Sequence, residues 1–484
     1  MKLYDILKNV DFINNFDDFK NIEISDIVYE SWKVKKDCIF VCLRGKKSDG
    51  HKYIQEALNK NCVVIVAEEK NLNVKNLVIV KNTRKALAIM SCNFFENPAS
   101  KLVTIGVTGT KGKTTVTCMI KNILEASSEK VGTIGTLGAC IKNEIIELKN
   151  TTPESYEVQK YLKYMLDKKC RYAVIEASSL GLKNHRLDGF VFDYGIFTNF
   201  SSDHIGENEH ENMQDYLESK SLLFKKCKIG FFNQDDENFT NIIKNHICKI
   251  KTFGFSDNCD IYCKNTDLIS KNGNIGIKSD FLGNTNINLE IFIPGKFSVY
   301  NALAAVSVCC DIKIMKKHII FGIKNTKVKG RVEILDVSDK FVLLIDYAHN
   351  ALSMKNILET LREYKPKRLV NMFGSGGNRP KVRRYEMGEI SGNLADLSII
   401  TTDNPRFENI SNIIEDIKIG INKTNGKYIV IPDRKEAIRY CIENAKEGDI
   451  VVLAGKGHET YQEINGVKYD FDERVVVKNI IGSK

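Results

Sequence analysis

The chain has 484 residues, 43% hydrophobic and 27% charged, with 71 basic against 61 acidic side chains and a formal charge of +10. Such a length exceeds a single hydrophobic core and predicts about three domains, while the composition excludes a disordered, collagen-like or disulfide-scaffold protein. The lysines are scattered among acidic neighbours with no aromatic-interleaved basic patch, so no nucleic acid is expected as a partner.

No apolar run approaches the roughly 18 residues of a membrane span. The first segment, "MKLYDILKNVDFINN", has no secretory core, so the fourteen cysteines are expected to be reduced thiols of a cytoplasmic protein. Cys38 and Cys42, and Cys259 and Cys263, are four apart but lack a second ligand pair, and read as small core residues.

In chain order, "DCIFVCLRG", "HKYIQEALNKN", "CVVIVAEE" and "NLVIVKN" predict strand, helix, strand and strand, an α/β block over residues 1–98. A middle block over 99–328 opens with "KLVTIGVTGTKGKTTVTCMIKNIL", an apolar strand, a glycine-rich turn and a helix, and closes with the helix "FSVYNALAAVSVCC". Residues 329–484 alternate strands such as "KFVLLIDYAHN", "KRLVNMFGSGG", "LSIITTDNPR" and "DIVVLAGKGHE" with helical stretches. The fold class is α/β, with parallel sheets covered on both faces.

The turn "GTKGKTT" suits phosphate. Gly109 and Gly112 let backbone N–H groups close on the anion, Lys113 reaches terminal phosphates, and the Thr114 hydroxyl is placed for Mg2+, with Thr110 and Thr115 beside them. The strict phosphate-loop pattern wants a glycine at 107, where Val107 stands, but strand, loop and helix come in the right order. Two more strands end in metal-capable groups: "YAVIEASS" delivers Glu176, and "YGIFTNFSSDH" delivers Asn199, Asp203 and His204. In an open α/β sheet these ends share one crevice, so Glu176 and His204 are candidate Mg2+ ligands.

In "ENMQDYLESKSLLFKK", Met213, Tyr216, Leu217 and Phe224 form a helical stripe that includes Lys220. Periodicity alone favours a snorkelling lysine. The alternative is a lysine whose lowered pKa serves chemistry near phosphate and metal.

The ordered motifs "GTKGKTT", "EASS", "TNFSSDHIGENEH", "YLESKSLLF", "IPGKFSVYNALAA", "GRVEIL" and "DYAHN" resemble the Mur ligase family over almost the whole chain. The resemblance implies a central ATPase-like parallel-sheet domain flanked by an N-terminal UDP-binding α/β domain and a C-terminal Rossmann-like domain. It implies an ATP-dependent amide ligase of cell-wall peptide synthesis, acting as a monomer on UDP-N-acetylmuramoyl-L-Ala-D-Glu through an acyl phosphate. Lys113, Lys220 and His204 are the implied catalytic residues, with Thr114, Glu176, His204 and a CO2-derived carbamate on Lys220 about Mg2+. Asn199, Asn301, Arg331, Asp346 and His349 match nucleotide contacts; Ser31, Thr151, Thr152, Pro153, Ser178 and Arg186 match contacts to the UDP-muramoyl dipeptide. The chain departs from the family pattern at Glu30, Trp32 and Leu180.

The turn "TTDNPRFEN" carries Asp403, Asn404 and Arg406. An arginine fork suits a carboxylate. By resemblance "DNPR" marks ligases that add meso-2,6-diaminopimelate, whose distal carboxylate lysine lacks, with Arg384, Gly455 and Glu459 as further contacts. The family's "GGDRDxxKRP" stands here as "GGNRPKVRRY", so L-lysine and meso-lanthionine remain alternative substrates. Other readings are a folylpolyglutamate synthase, the ligase that adds D-alanyl-D-alanine, and a non-catalytic paralogue that binds UDP-muramoyl peptides.

Overall fold

A computed structural model describes residues 1–45, 48–70, 72–142, 144–202, 206 and 209–482. The chain divides into two compact units, Met1–Tyr262 with Leu303–Ile319, and Cys263–Ala302 with Ile320–Lys484.

The first unit holds two sheets. Strands β1 (Asp26–Val28), β2 (Cys38–Val41), β3 (Val64–Ala67) and β4 (Leu77–Ile79) pair in parallel in that order. The larger sheet contains β5 (Val103–Thr108), β6 (Val131–Gly135), β7 (Gly138–Ile141), β8 (Glu144–Ile146), β9 (Tyr172–Glu176), β10 (Phe192–Phe197), β11 (Cys227–Asn233) and β12 (Lys249–Gly254). They run β12-β11-β10-β5-β9-β6-β7-β8, parallel as far as β6 and antiparallel from there to β8.

Every residue of β9 is buried, the condition of a parallel strand covered on both faces. The helix Lys113–Ala126 lies on this sheet through Val116, Met119, Ile120, Ile123 and Leu124, one apolar stripe of helical period. All fourteen cysteines are free, and both four-apart pairs are buried, as their apolar surroundings predict.

The second unit carries most of β13 (Ile261–Lys271) with the antiparallel pair β14 (Asn274–Gly283) and β15 (Ile287–Ile291). Its six-stranded sheet comprises β16 (Glu333–Leu335), β17 (Val342–Asp346), β18 (Arg368–Phe373), β19 (Leu397–Ile400), β20 (Tyr428–Val430) and β21 (Asp449–Ala454). The order is β16-β17-β21-β18-β19-β20, with only β16 antiparallel to its neighbour. A hairpin of β22 (Tyr461–Ile464) and β23 (Val467–Asp470) follows. The carboxyl ends of β17, β19 and β21, where ligands sit in open α/β sheets, deliver "DYAHN", "DNPR" and "GKGHE". Among the described residues no helix is long and apolar enough to cross a membrane.

Candidate active site

The phosphate loop joins β5 to the helix Lys113–Ala126. Gly109 has φ +148°, and a Cβ there would lie 1.9 Å from Thr198 Oγ1, so only glycine fits. Gly112, at φ +88°, caps the helix. The flanking strand end braces the turn: Asn199 Oδ1 accepts from Lys111 N at 2.9 Å, and Thr110 N donates to Asn199 O at 2.9 Å. Thr110 Oγ1 accepts from Ser201 N at 3.1 Å. Thr115 is half-buried in the first helical turn.

Two lysines converge on one carbonyl. Lys113 Nζ donates to Gly109 O at 2.8 Å and Thr110 O at 3.1 Å, and Lys220 Nζ donates to Gly109 O at 2.9 Å. Lys220 is 1% exposed, with its amine 4.2 Å from the centre of the Tyr216 ring. The snorkelling expectation therefore fails: the amine is turned inward, because its helix Met213–Ser221 packs this face against the phosphate loop.

Glu176 closes the other side. Its Oε2 accepts from Thr114 Oγ1 at 3.0 Å and Thr136 Oγ1 at 3.1 Å, and its Oε1 accepts from Thr136 N at 2.9 Å. Burial raises its pKa, partly offset by the Lys113 charge and these hydrogen bonds. A carboxylate and a hydroxyl, both hard oxygen donors beside the phosphate loop, fit Mg2+. His204, the other nominated ligand, and Asp203 lie outside the described residues.

The same strand end meets the "NTTPES" loop. Thr152 Oγ1 donates to Glu176 O at 2.6 Å and accepts from Ser178 N at 3.0 Å, while Ser178 Oγ caps Gly181 N at 3.1 Å. Thr151 Oγ1 lies 3.3 Å from Thr136 Oγ1, and Pro153 is buried. Arg186 donates to Thr152 O at 2.9 Å and pairs with Glu154 at 2.8 Å. Ser31 donates to Glu56 at 2.9 Å, and its neighbour Glu30 lies 3.5 Å from Lys149 at the start of that loop.

In the second unit, "DNPR" and "GKGHE" form one network. Asn404 Oδ1 accepts from Lys456 Nζ at 2.9 Å and Glu463 N at 3.0 Å; those two donors orient the amide so that Nδ2 donates to Glu459 Oε2 at 2.9 Å. Lys456 is fully buried and also reaches Glu459 Oε2 at 3.3 Å and Asp403 Oδ1 at 3.9 Å. Gly455, at φ +112°, keeps the β21 end open beside Asp403, whose Oδ2 would lie 2.6 Å from an added Cβ. Arg434, fully buried against Glu473 at 2.8 Å, ties Thr402 O at 3.1 Å to Ala454 O at 2.8 Å, so one guanidinium joins the two strand ends.

Arg406 extends over the hairpin with Nε 3.3 Å from Glu463 Oε2 and Nη1 donating to Gly377 O at 2.8 Å. Arg384 is fully buried, donating to Asp416 at 2.9 Å and Glu408 at 2.8 Å. Nearby, Asp346 accepts from Val332 N at 2.8 Å, and burial raises its pKa. The Arg331 guanidinium lies 4.9 Å from the Tyr347 ring centre, and the His349 ring 4.5 Å from it. Asn301 is buried on the helix Lys296–Asp311. His458 also packs on Tyr347 at 4.8 Å; burial, with Arg331 and Arg474 nearby, lowers its pKa to about 4.

Thr136, His210, Lys456 and Glu463 are site neighbours that the motifs did not nominate. His210 is fully buried, its Nδ1 2.9 Å from Asp215 Oδ2 and its Nε2 2.8 Å from Ser179 Oγ, joining the Lys220 helix to the "EASS" turn. Lys456 carried a readable signal, a lysine between two glycines straight after the apolar strand "DIVVLA".

Models described as Mur ligase family catalytic domain, Mur ligase middle domain, and Mur ligase glutamate ligase domain match residues 23–95, 107–309 and 330–457. A UDP-N-acetylmuramoyl-L-alanyl-D-glutamate--2,6-diaminopimelate ligase of Caldanaerobacter subterraneus subsp. tengcongensis is 40% identical over 485 residues, 99% of each chain. One of the same name from Clostridium botulinum is 40% identical over 490 residues, again covering 99% of each. A solved structure of a ligase of that name superposes with a TM-score of 0.76 at 28% identity, covering 100% of this chain and 99% of its own. With three domain models in order and full-length relatives at this identity, the chain belongs to the Mur ligase family.

Proposed function

We propose that this enzyme uses ATP to join meso-2,6-diaminopimelate to the D-glutamate side-chain carboxylate of UDP-N-acetylmuramoyl-L-Ala-D-Glu, through an acyl phosphate. Residues 1–98 hold the uridine moiety with Ser31 among the contacts, residues 99–328 bind ATP, and residues 329–484 bind the amino acid. The observation that carries the amino-acid assignment is the single network at the carboxyl ends of β19 and β21 in which Lys456 joins Asn404, Asp403 and Glu459, and Glu463 joins Asn404 to Arg406. It offers a cation for a distal carboxylate and anions for a distal ammonium.

Transfer of the terminal phosphoryl group needs positioning and charge neutralisation more than covalent help. The backbone of Gly109–Gly112 and the Lys113 amine cradle the phosphates, with Thr110, Thr115 and Asn199 keeping the turn in shape. Thr114, Glu176 and His204 would hold Mg2+, which would supply charge neutralisation at the phosphates. Lys220 carries a CO2-derived carbamate in this reading; a buried amine beside the loop supports it, since carbamylation replaces an enclosed cation with an anion at the Gly109 turn. Thr151, Thr152, Pro153, Ser178 and Arg186 orient the muramoyl dipeptide. Asn301, Arg331, Asp346 and His349 contact the nucleotide, Tyr347 giving Arg331 and His349 a common ring to pack on. Gly455 keeps the amino-acid pocket open, and Arg384 steadies it through Glu408.

Phosphate release with ATP, Mg2+ and the UDP-muramoyl dipeptide tests the reading, with meso-diaminopimelate, L-lysine and meso-lanthionine offered separately. Release favouring diaminopimelate is expected. Preference for either other amino acid would overturn the substrate assignment, and no release with any would leave a binding paralogue.

A further inference from the structure

We infer that Glu463 sets the amino-acid selectivity of the pocket by acting as a built-in counter-ion to Arg406, narrowing the preference for an amino acid with a distal carboxylate. The inference rests on the reading of Arg406 as the partner of that carboxylate.

The hairpin that carries Glu463 is stitched along the "DNPR" turn. Gln462 Nε2 donates to Asp403 O at 2.8 Å, Arg406 N to Glu463 O at 3.0 Å, and Asn465 N to Arg406 O at 2.7 Å. These bonds hold Arg406 at φ +53°, a backbone region that arginine seldom adopts, and fix where its side chain starts. The guanidinium then meets Glu463 Oε2 along its Nε edge at 3.3 Å and Gly377 O through Nη1 at 2.8 Å. Both side chains of the pair are about one-quarter exposed, at 26% and 24%, so part of the cation is already neutralised by a neighbour that is itself half-shielded from water.

An arginine selects a diacid largely because it is costly to cover and leave unpaired when the substrate brings no carboxylate. Glu463 removes part of that cost, since a diamine with no distal carboxylate closes over an arginine that keeps an anion. It also works against the diacid, whose carboxylate must share one guanidinium with Glu463. Both effects shrink the gap between a substrate such as diaminopimelate and one such as lysine. Glu463→Gln keeps the side chain's size and an oxygen for Nε, and leaves the backbone bonds of residue 463 intact. It removes only the charge.

The test compares kcat/KM for meso-diaminopimelate and L-lysine in wild type, Glu463→Gln and Arg406→Ala, with the KM for ATP and thermal unfolding as controls. Glu463→Gln is expected to raise the diaminopimelate-to-lysine ratio about two- to fivefold, the scale of a partly exposed pair, while Arg406→Ala collapses it. A ratio unchanged or lowered by Glu463→Gln, with the collapse still seen in Arg406→Ala, overturns this inference alone. A ratio that survives Arg406→Ala overturns the placement of Arg406, and the role of Glu463 with it.

Discussion

Gly109→Ala places a methyl group 1.9 Å from Thr198 Oγ1 and 3.1 Å from both Asn199 N and Asn199 O. The Thr198 hydroxyl can yield only by giving up its 2.7 Å bond to Lys111 O, about 1 kcal/mol for one buried bond. Holding alanine near φ +148° adds about 2 kcal/mol of backbone strain. The single variant should therefore lose about 3 kcal/mol of stability. Its ATP KM should rise as well, because Gly109 O is the acceptor shared by Lys113 and Lys220. Thr198→Ala alone sacrifices the same hydroxyl bond, about 1 kcal/mol, so the double variant should be no worse than Gly109→Ala and the pair should couple by about 1 kcal/mol. Denaturant unfolding of the four proteins in this cycle, with ATP KM measured in parallel, checks the account. Additive losses, or a Gly109→Ala protein within 1 kcal/mol of wild type as read against that expectation, would refute the steric explanation.

Lys456→Met deletes a fully buried cation from between Asn404, Glu459 and Asp403; urea unfolding should show a loss of about 3 kcal/mol, with a raised KM for the amino acid and an unchanged KM for ATP. Glu176 has a folded pKa raised above its ordinary value of 4.5, so the native state keeps a proton that the unfolded chain has lost. Stability should fall as pH rises from 4.5 through the folded pKa and then level, and Glu176→Gln should flatten that slope in unfolding curves taken across the window. Arg406→Ala should raise the KM for diaminopimelate at least tenfold by the scale of a charge-assisted pair, about 1.4 kcal/mol or more, with ATP KM as the control. Lys220→Ala should abolish turnover, and short carboxylic acids added to the assay should restore part of it.

The glycine-rich turn was legible because its chemistry is local: two glycines, two lysines and three threonines in the seven residues after an apolar strand leave few other uses. Glu176 and Asn199 were legible as the polar ends of apolar strands, and the sheet order places β9 and β10 on either side of β5. Lys220 could be marked as an anomaly on an apolar stripe, but whether its amine reached solvent depended on what packed over it. Thr136 was invisible for the same reason. Its hydroxyl matters because β6 lies beside β9, and the sequence hint, Gly135 where a Cβ would meet Glu176 Oε1 at 2.2 Å, becomes readable only with that pairing. "DNPR" advertised an arginine without revealing Glu463, since an ion pair across 57 residues is set by a hairpin's register and not by local spacing.

The central claim is ligation of a diamino acid to the muramoyl dipeptide, and the most direct measurement is the mass of the UDP-muramoyl product formed with ATP, Mg2+ and meso-diaminopimelate. A product heavier by one diaminopimelate less one water, formed in step with ADP, is the predicted result. ATP hydrolysis with the UDP-muramoyl dipeptide recovered unchanged would contradict it.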